Sequence, residues 1–99
     1  MRIFGNILGK KPDYSVRGVK TLIIEITEDG TYRVILRNKA NIELGEYRHI
    51  RTISFEDNLT IDKTETSFSY RGTIILSFRQ LCNVDRYGEH LVVEKYKPD

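Results

Sequence analysis

Apolar and polar residues alternate along most of this chain, and the period is that of strands. VKTLIIEIT (19–27) is rich in β-branched side chains and sets Leu22, Ile24 and Ile26 on one face and Val19, Thr21 and Ile23 on the other. Both faces of that strand are expected to be at least partly covered. Asp29-Gly30 follows, a pair suited to the positive φ angles of a tight hairpin turn. TYRVILR (31–37) then alternates with Tyr32, Val34 and Leu36 inward and Arg33 and Arg37 outward.

Beyond the polar NKAN link, Ile42 and Leu44 share one phase and Tyr47, Ile53 and Phe55 the other, so the phase flips at Gly45. A bulge or bend there predicts such a flip, because one extra residue re-aims every later side chain. A short helix over 46–51, with Tyr47 and Ile50 on one face, is the alternative. EDN (56–58) reads as a turn. TSFSY (66–70) alternates again, and GTIILSF (72–78) gives a second central strand with Ile74, Leu76 and Phe78 together and Ile75 opposite. NVDRYGE (83–89) reads as a turning segment, and HLVVEKY (90–96) as a last strand pairing with 73–79.

Six to eight short strands with at most one short helix predict a mainly β domain, or α+β if the helix forms. The architecture is a mostly antiparallel sheet folded as a small sandwich or partly open barrel. Ninety-nine residues make one domain, divided here into a basic, partly apolar N-terminal arm (1–18) and a β-rich body (19–97).

Charge separates the two parts. Residues 1–20 carry Arg2, Lys10, Lys11, Arg17 and Lys20 against Asp13 alone, while the rest of the chain holds 13 acids against 11 bases. A basic segment on a near-neutral body fits contact with phosphate-bearing surfaces. If the arm is helical, Ile3, Phe4, Ile7 and Leu8 share a face flanked by Arg2, Lys10 and Lys11, as in a segment lying at an anionic lipid interface. The alternative is that the same apolar residues dock on the β core or on a neighbouring subunit.

Catalytic chemistry is hard to build from these residues. Cys82 is the sole cysteine, which excludes an intrachain disulfide and fits a reducing cytoplasm. His49, Cys82 and His90 have no metal-ligand spacing, no nucleophile signature surrounds the thiol, and no phosphate loop is present. No apolar run approaches the roughly 20 residues of a membrane span, and the N-terminus lacks the apolar stretch of an export signal. The expectation is a non-enzymatic protein without cofactor or metal, cytoplasmic or peripheral to a membrane, acting on a protein partner or as a homodimer. Arg33, Arg37, Arg48, Arg51 and Arg71 are the residues of a candidate partner or nucleic-acid face. Aromatic neighbours such as Tyr32, Tyr47 and Tyr70 favour base stacking, but an aromatic-in, arginine-out strand produces the same adjacency.

MRIFGNILGKKPDYS resembles the start of some rhabdovirus matrix proteins, and VKTLIIEITEDGTYRVIL (19–36) and SYRGTIILSFRQLCNV (69–84) are similar to strands of their core. The chain departs from that family in its length and in having prolines only at 12 and 98, so the proline-rich budding motif is absent. The resemblance implies a reduced, matrix-like viral accessory protein. Arg2, Ile3, Phe4, Ile7, Leu8, Lys10 and Lys11 would then contact membrane, nucleocapsid or host factors.

Overall fold

A computed structural model describes residues 11–67 and 72–97. Arg2, Ile3, Phe4, Ile7, Leu8 and Lys10 of the expected contact arm lie outside the described residues, as do Arg71 and the 68–70 part of the TSFSY strand. Every regular element described is a strand: β1 (Tyr14–Ile26), β2 (Tyr32–Arg37), β3 (Glu43–Ile50), β4 (Thr52–Phe55), β5 (Ile61–Ser67), β6 (Thr73–Tyr87) and β7 (His90–Lys95).

The β1–β2 hairpin forms as the alternation requires, with Leu22 opposite Leu36 and Ile24 opposite Val34. Its turn uses Gly30 at φ 83°, and the Asp29 carboxylate accepts hydrogen bonds from the Thr31 amide and hydroxyl. From there the sheet runs β3-β2-β1-β6-β7-β4, with β5 added to β6. All ladders are antiparallel except β4 with β7. The sheet is mainly antiparallel, strongly bent and open. Its two ends, β3 and β4, are separated in sequence by Arg51 alone.

Two long strands create the bend. The first half of β1 pairs with Asn83–Arg86, and its second half with Thr73–Ser77. Between them Val19 pairs with Cys82 and Thr21 with Ser77, so β6 carries extra residues across the corner. Gly18 sits at that corner with φ 77°, a backbone that L side chains rarely adopt. The bulge explains why Val19 joins Leu22 in the core although the two are an odd number of residues apart.

The core fills the inside of the bend: Leu22, Val34, Leu36, Ile50, Phe78, Cys82, Val84, Leu91 and Val93 are all fully buried. Ile23 and Ile35 are buried on the outer face, opposite one another, so the expectation of two covered faces holds.

Four readings need correction. First, the opening strand begins at Tyr14, ahead of Val19, because Tyr14–Arg17 find partners on β6 that lie far off in sequence. Second, residues 46–51 are not a helix. Tyr47 pairs with Val34 and Ile50 with Tyr32, so Arg48 and His49 together span the place of one residue, and His49 takes φ 60°. The phase flip at Gly45 is a bulge, as one of the two readings had it: Gly45 faces Leu36, Glu43 faces Arg37, and Leu44 is the extra residue. Third, NVDRYGE does not turn the chain until Gly88, since β6 continues to Tyr87 with Val84 buried in phase with Cys82. Fourth, β7 accordingly pairs with Cys82–Tyr87 and not with 73–79, whose free side is taken by β5.

Candidate functional site

The arginine face predicted from alternation is outward but not free. Arg33 donates to Glu25 at 3.2 Å and to Glu46 at 3.0 Å, and Arg48 also bonds Glu46. These contacts hold the Glu46 carboxyl down to about 2, chiefly through the hydrogen bond from Arg33. Arg37 donates to Asn41 Oδ1 at 3.3 Å, and Arg51 pairs with Glu89 at 2.6 Å. Strand register thus brings Arg33 and Arg48 together on one carboxylate and sets Arg51 apart at the far edge. Arg33, Arg48 and Arg51 are paired with carboxylates, whereas a phosphate backbone selects unpaired cations; Arg37 meets a neutral amide. Lys11 is exposed at the start of the described chain.

The thiol and the histidines occupy ordinary structural positions. Burial pushes Cys82 up to about 11, which keeps it protonated at neutral pH. His90 bonds Thr52 through Nδ1, and burial lowers its pKa; His49 faces Asp29 at 3.6 Å. Among the described residues no group of three or more His, Cys, Asp or Glu could hold a metal ion. No helix among them is long and apolar enough to cross a membrane.

The feature that departs from a sealed β domain is one mouth of the bent sheet. There Ile24, Tyr32 and Ile74 form a wall facing Ile53 and Phe55 of β4 across a groove of about 390 Å³, with Arg51 at its end. Ile74 is 40% exposed, Phe55 37% and Ile26 41%, all large apolar side chains on strands. Ile74 has the inward phase of Leu76 and Phe78, so the alternation that seals the middle of β6 carries an uncovered isoleucine out into the opening.

The backbone of β4 adds to this. The amides of Thr52 and Glu56 donate to the carbonyls of Glu89 (3.3 Å) and Val93 (2.9 Å), so within β4 the even-numbered residues turn their peptide groups toward β7; just before the strand, the Arg51 amide also donates to the Glu89 carbonyl, at 2.8 Å. Ile53 and Phe55 therefore turn their N–H and C=O groups to the other edge, where β4 has no strand partner among the described residues. An apolar wall beside an unpaired edge is suited to receiving an extended segment.

The alternation put Ile53 and Phe55 in one phase with Tyr47 and did not reveal this role. A signal was present in the stretch RTISFED, where a two-residue apolar pattern too short to cross a core is bounded by opposite charges. No family model, curated protein or solved structure matches the chain.

Proposed function

We propose that this protein is a non-enzymatic interaction module that binds a protein partner at the mouth formed by β4, the start of β2 and the start of β6. The observation that carries this is the coincidence of uncovered apolar side chains, Phe55 and Ile74, with the unpaired backbone edge of Ile53 and Phe55. Strand addition at such an edge draws affinity from main-chain hydrogen bonds and selectivity from alternate side chains seated in the adjoining wall. The ion-paired arginines support the same reading, because their guanidinium groups are already engaged by carboxylates.

The test is capture of partners on the immobilised full chain, comparing wild type with Phe55→Asp, Ile74→Asp and the control Lys39→Glu on the opposite β2–β3 turn. A stoichiometric protein retained by wild type and Lys39→Glu and lost at least tenfold from both mouth variants is the expected result. A partner held equally by all four proteins places the binding surface elsewhere. Capture of none, together with no self-association, removes the reading.

A further inference from the structure

The open edge of β4 is complementary to itself. Ile53 and Phe55 direct their backbone groups outward, and in RTISFED they are flanked by the side chains of Arg51, just before the strand, and Asp57, in the turn just after it. A cation therefore stands at one end, an anion at the other and an apolar pair between them. Reversing the direction of such a segment brings unlike charges together and apolar residues opposite apolar ones. Arg51 and Asp57 are both exposed, and the Arg51 side chain is 69% accessible even while paired with Glu89.

We infer that a second copy of this chain occupies the mouth, its β4 running antiparallel to the first about a twofold axis through Ser54. In that register Ile53 lies opposite Phe55 of the partner subunit, and each such pair exchanges two main-chain hydrogen bonds. Residues opposite one another in an antiparallel pair project to the same face. The incoming Ile53 and Phe55 side chains thus meet the wall of Ile24, Tyr32 and Ile74, which is the apolar surface the isolated chain leaves uncovered. Arg51 faces Asp57 of the partner subunit at both ends.

Charge selects this register over its neighbours. Pairing about Ile53 would set Arg51 against Phe55 and leave Asp57 unmatched. Pairing about Phe55 would set the Asp57 carboxylate against Ile53. Only the Ser54 axis sets Ile53 opposite Phe55 and brings unlike flanking charges toward one another at both ends. An interface of one short strand and its groove falls below the standard size of stable complexes, so the dimer is reversible, with a dissociation constant weaker than about 1 µM.

This inference rests on the reading of the mouth as the contact surface, and the two can fail separately. Sedimentation of the full chain from ~10 µM to ~1 mM tests it, using wild type, Arg51→Glu, Asp57→Lys and an equimolar mixture of the two variants. Each variant alone places like charges at both ends of the pair, whereas the mixture restores an unlike pair at both ends. The expected result is a mass that doubles with concentration for wild type and for the mixture, and a dissociation constant at least tenfold weaker for each variant alone. Circular dichroism confirms that the variants are folded. Hydrogen exchange on wild type is a second readout that needs no substitution: the Ile53 and Phe55 amides become protected as concentration rises. Wild type that remains monomeric throughout, variants that dimerise as wild type does, or a mixture no stronger than its components overturns the inference. If self-association fails while Ile74→Asp still abolishes partner capture, the mouth remains the binding surface and only the second copy is removed.

Discussion

The two ends of the bent sheet use the same kind of strand to different effect. At the closed end, the first half of β1, the second half of β6 and β7 bring Val84, Leu91 and Val93 to complete burial, and the Tyr47 hydroxyl reaches across to the Val84 carbonyl at 3.1 Å. At the open end, the second half of β1 and the first half of β6 carry Ile26 and Ile74 into solvent in the same alternation. The difference lies in what stands opposite. β3 folds over the closed end, so that Gly45 approaches Val16 and the Tyr14 and Tyr47 rings meet edge to face at 6.0 Å. The four residues of β4 cover the open end only in part. Binary patterning decides which way a side chain points, while coverage depends on how far the neighbouring strands extend.

Substitutions at the two ends should therefore separate stability from association. Phe78→Ala, at the fully buried centre, has the largest effect: a loss of about 3–5 kcal/mol in denaturant unfolding, enough to unfold a marginal domain. Tyr47→Phe follows, at roughly 1–2 kcal/mol, because it leaves the Val84 carbonyl without its partner. Gly18→Ala forces a left-handed backbone on a residue with a Cβ and should lower stability by about 1 kcal/mol, although open space surrounds the position. Ile74→Thr at the mouth should cost less than about 1 kcal/mol while weakening association measurably. An Ile74→Thr protein as unstable as Phe78→Ala would dissolve the distinction between the two ends.

The smallest effect is a slope. The Glu46 carboxyl is held below its ordinary value, so its contribution is present above about pH 4.5 and is lost as pH falls toward 2. Glu46→Gln should lower the neutral plateau of a stability-versus-pH curve slightly and flatten its acid limb, so that variant and wild type converge as pH falls toward 2.

The hairpin was readable because its signals are local: Asp29-Gly30 fixes the turn, and strict alternation from Tyr32 to Leu36 fixes the face. The Gly45 bulge announced itself through a change of phase. What escaped depends on partners distant in sequence. Tyr14–Arg17 read as an arm because their polar composition carries no strand signal until β6 supplies the ladder. NVDRYGE read as a turn because three of its first four residues are polar or charged, although Val84 keeps the alternation begun at Cys82. The parallel pairing of Thr52 with His90 spans 38 residues and has no turn to mark it. The arginines were assigned to the outer face by phase alone. Their carboxylate partners on neighbouring strands follow only from register, as does the open edge of β4.

The latch between the start of β1 and the end of β6 also sets the order in which the molecule can be built. The Asp13 amide donates to the Arg86 carbonyl at 2.7 Å, and the Asp13 carboxylate accepts from the Gly88 amide, also at 2.7 Å. The first half of β1 therefore has no strand to pair with until the chain has been made almost to its last strand. Long-range pairing of this kind is slow, because loop closure must precede any gain from contact. The β1–β2 hairpin can form while synthesis continues, but the corner at Gly18 and Cys82 waits until β6 has been made. Through that interval Tyr14–Val19 has no strand partner and Thr21–Glu25 is paired on its β2 side alone, so β1 is the segment most in need of protection in a crowded cell.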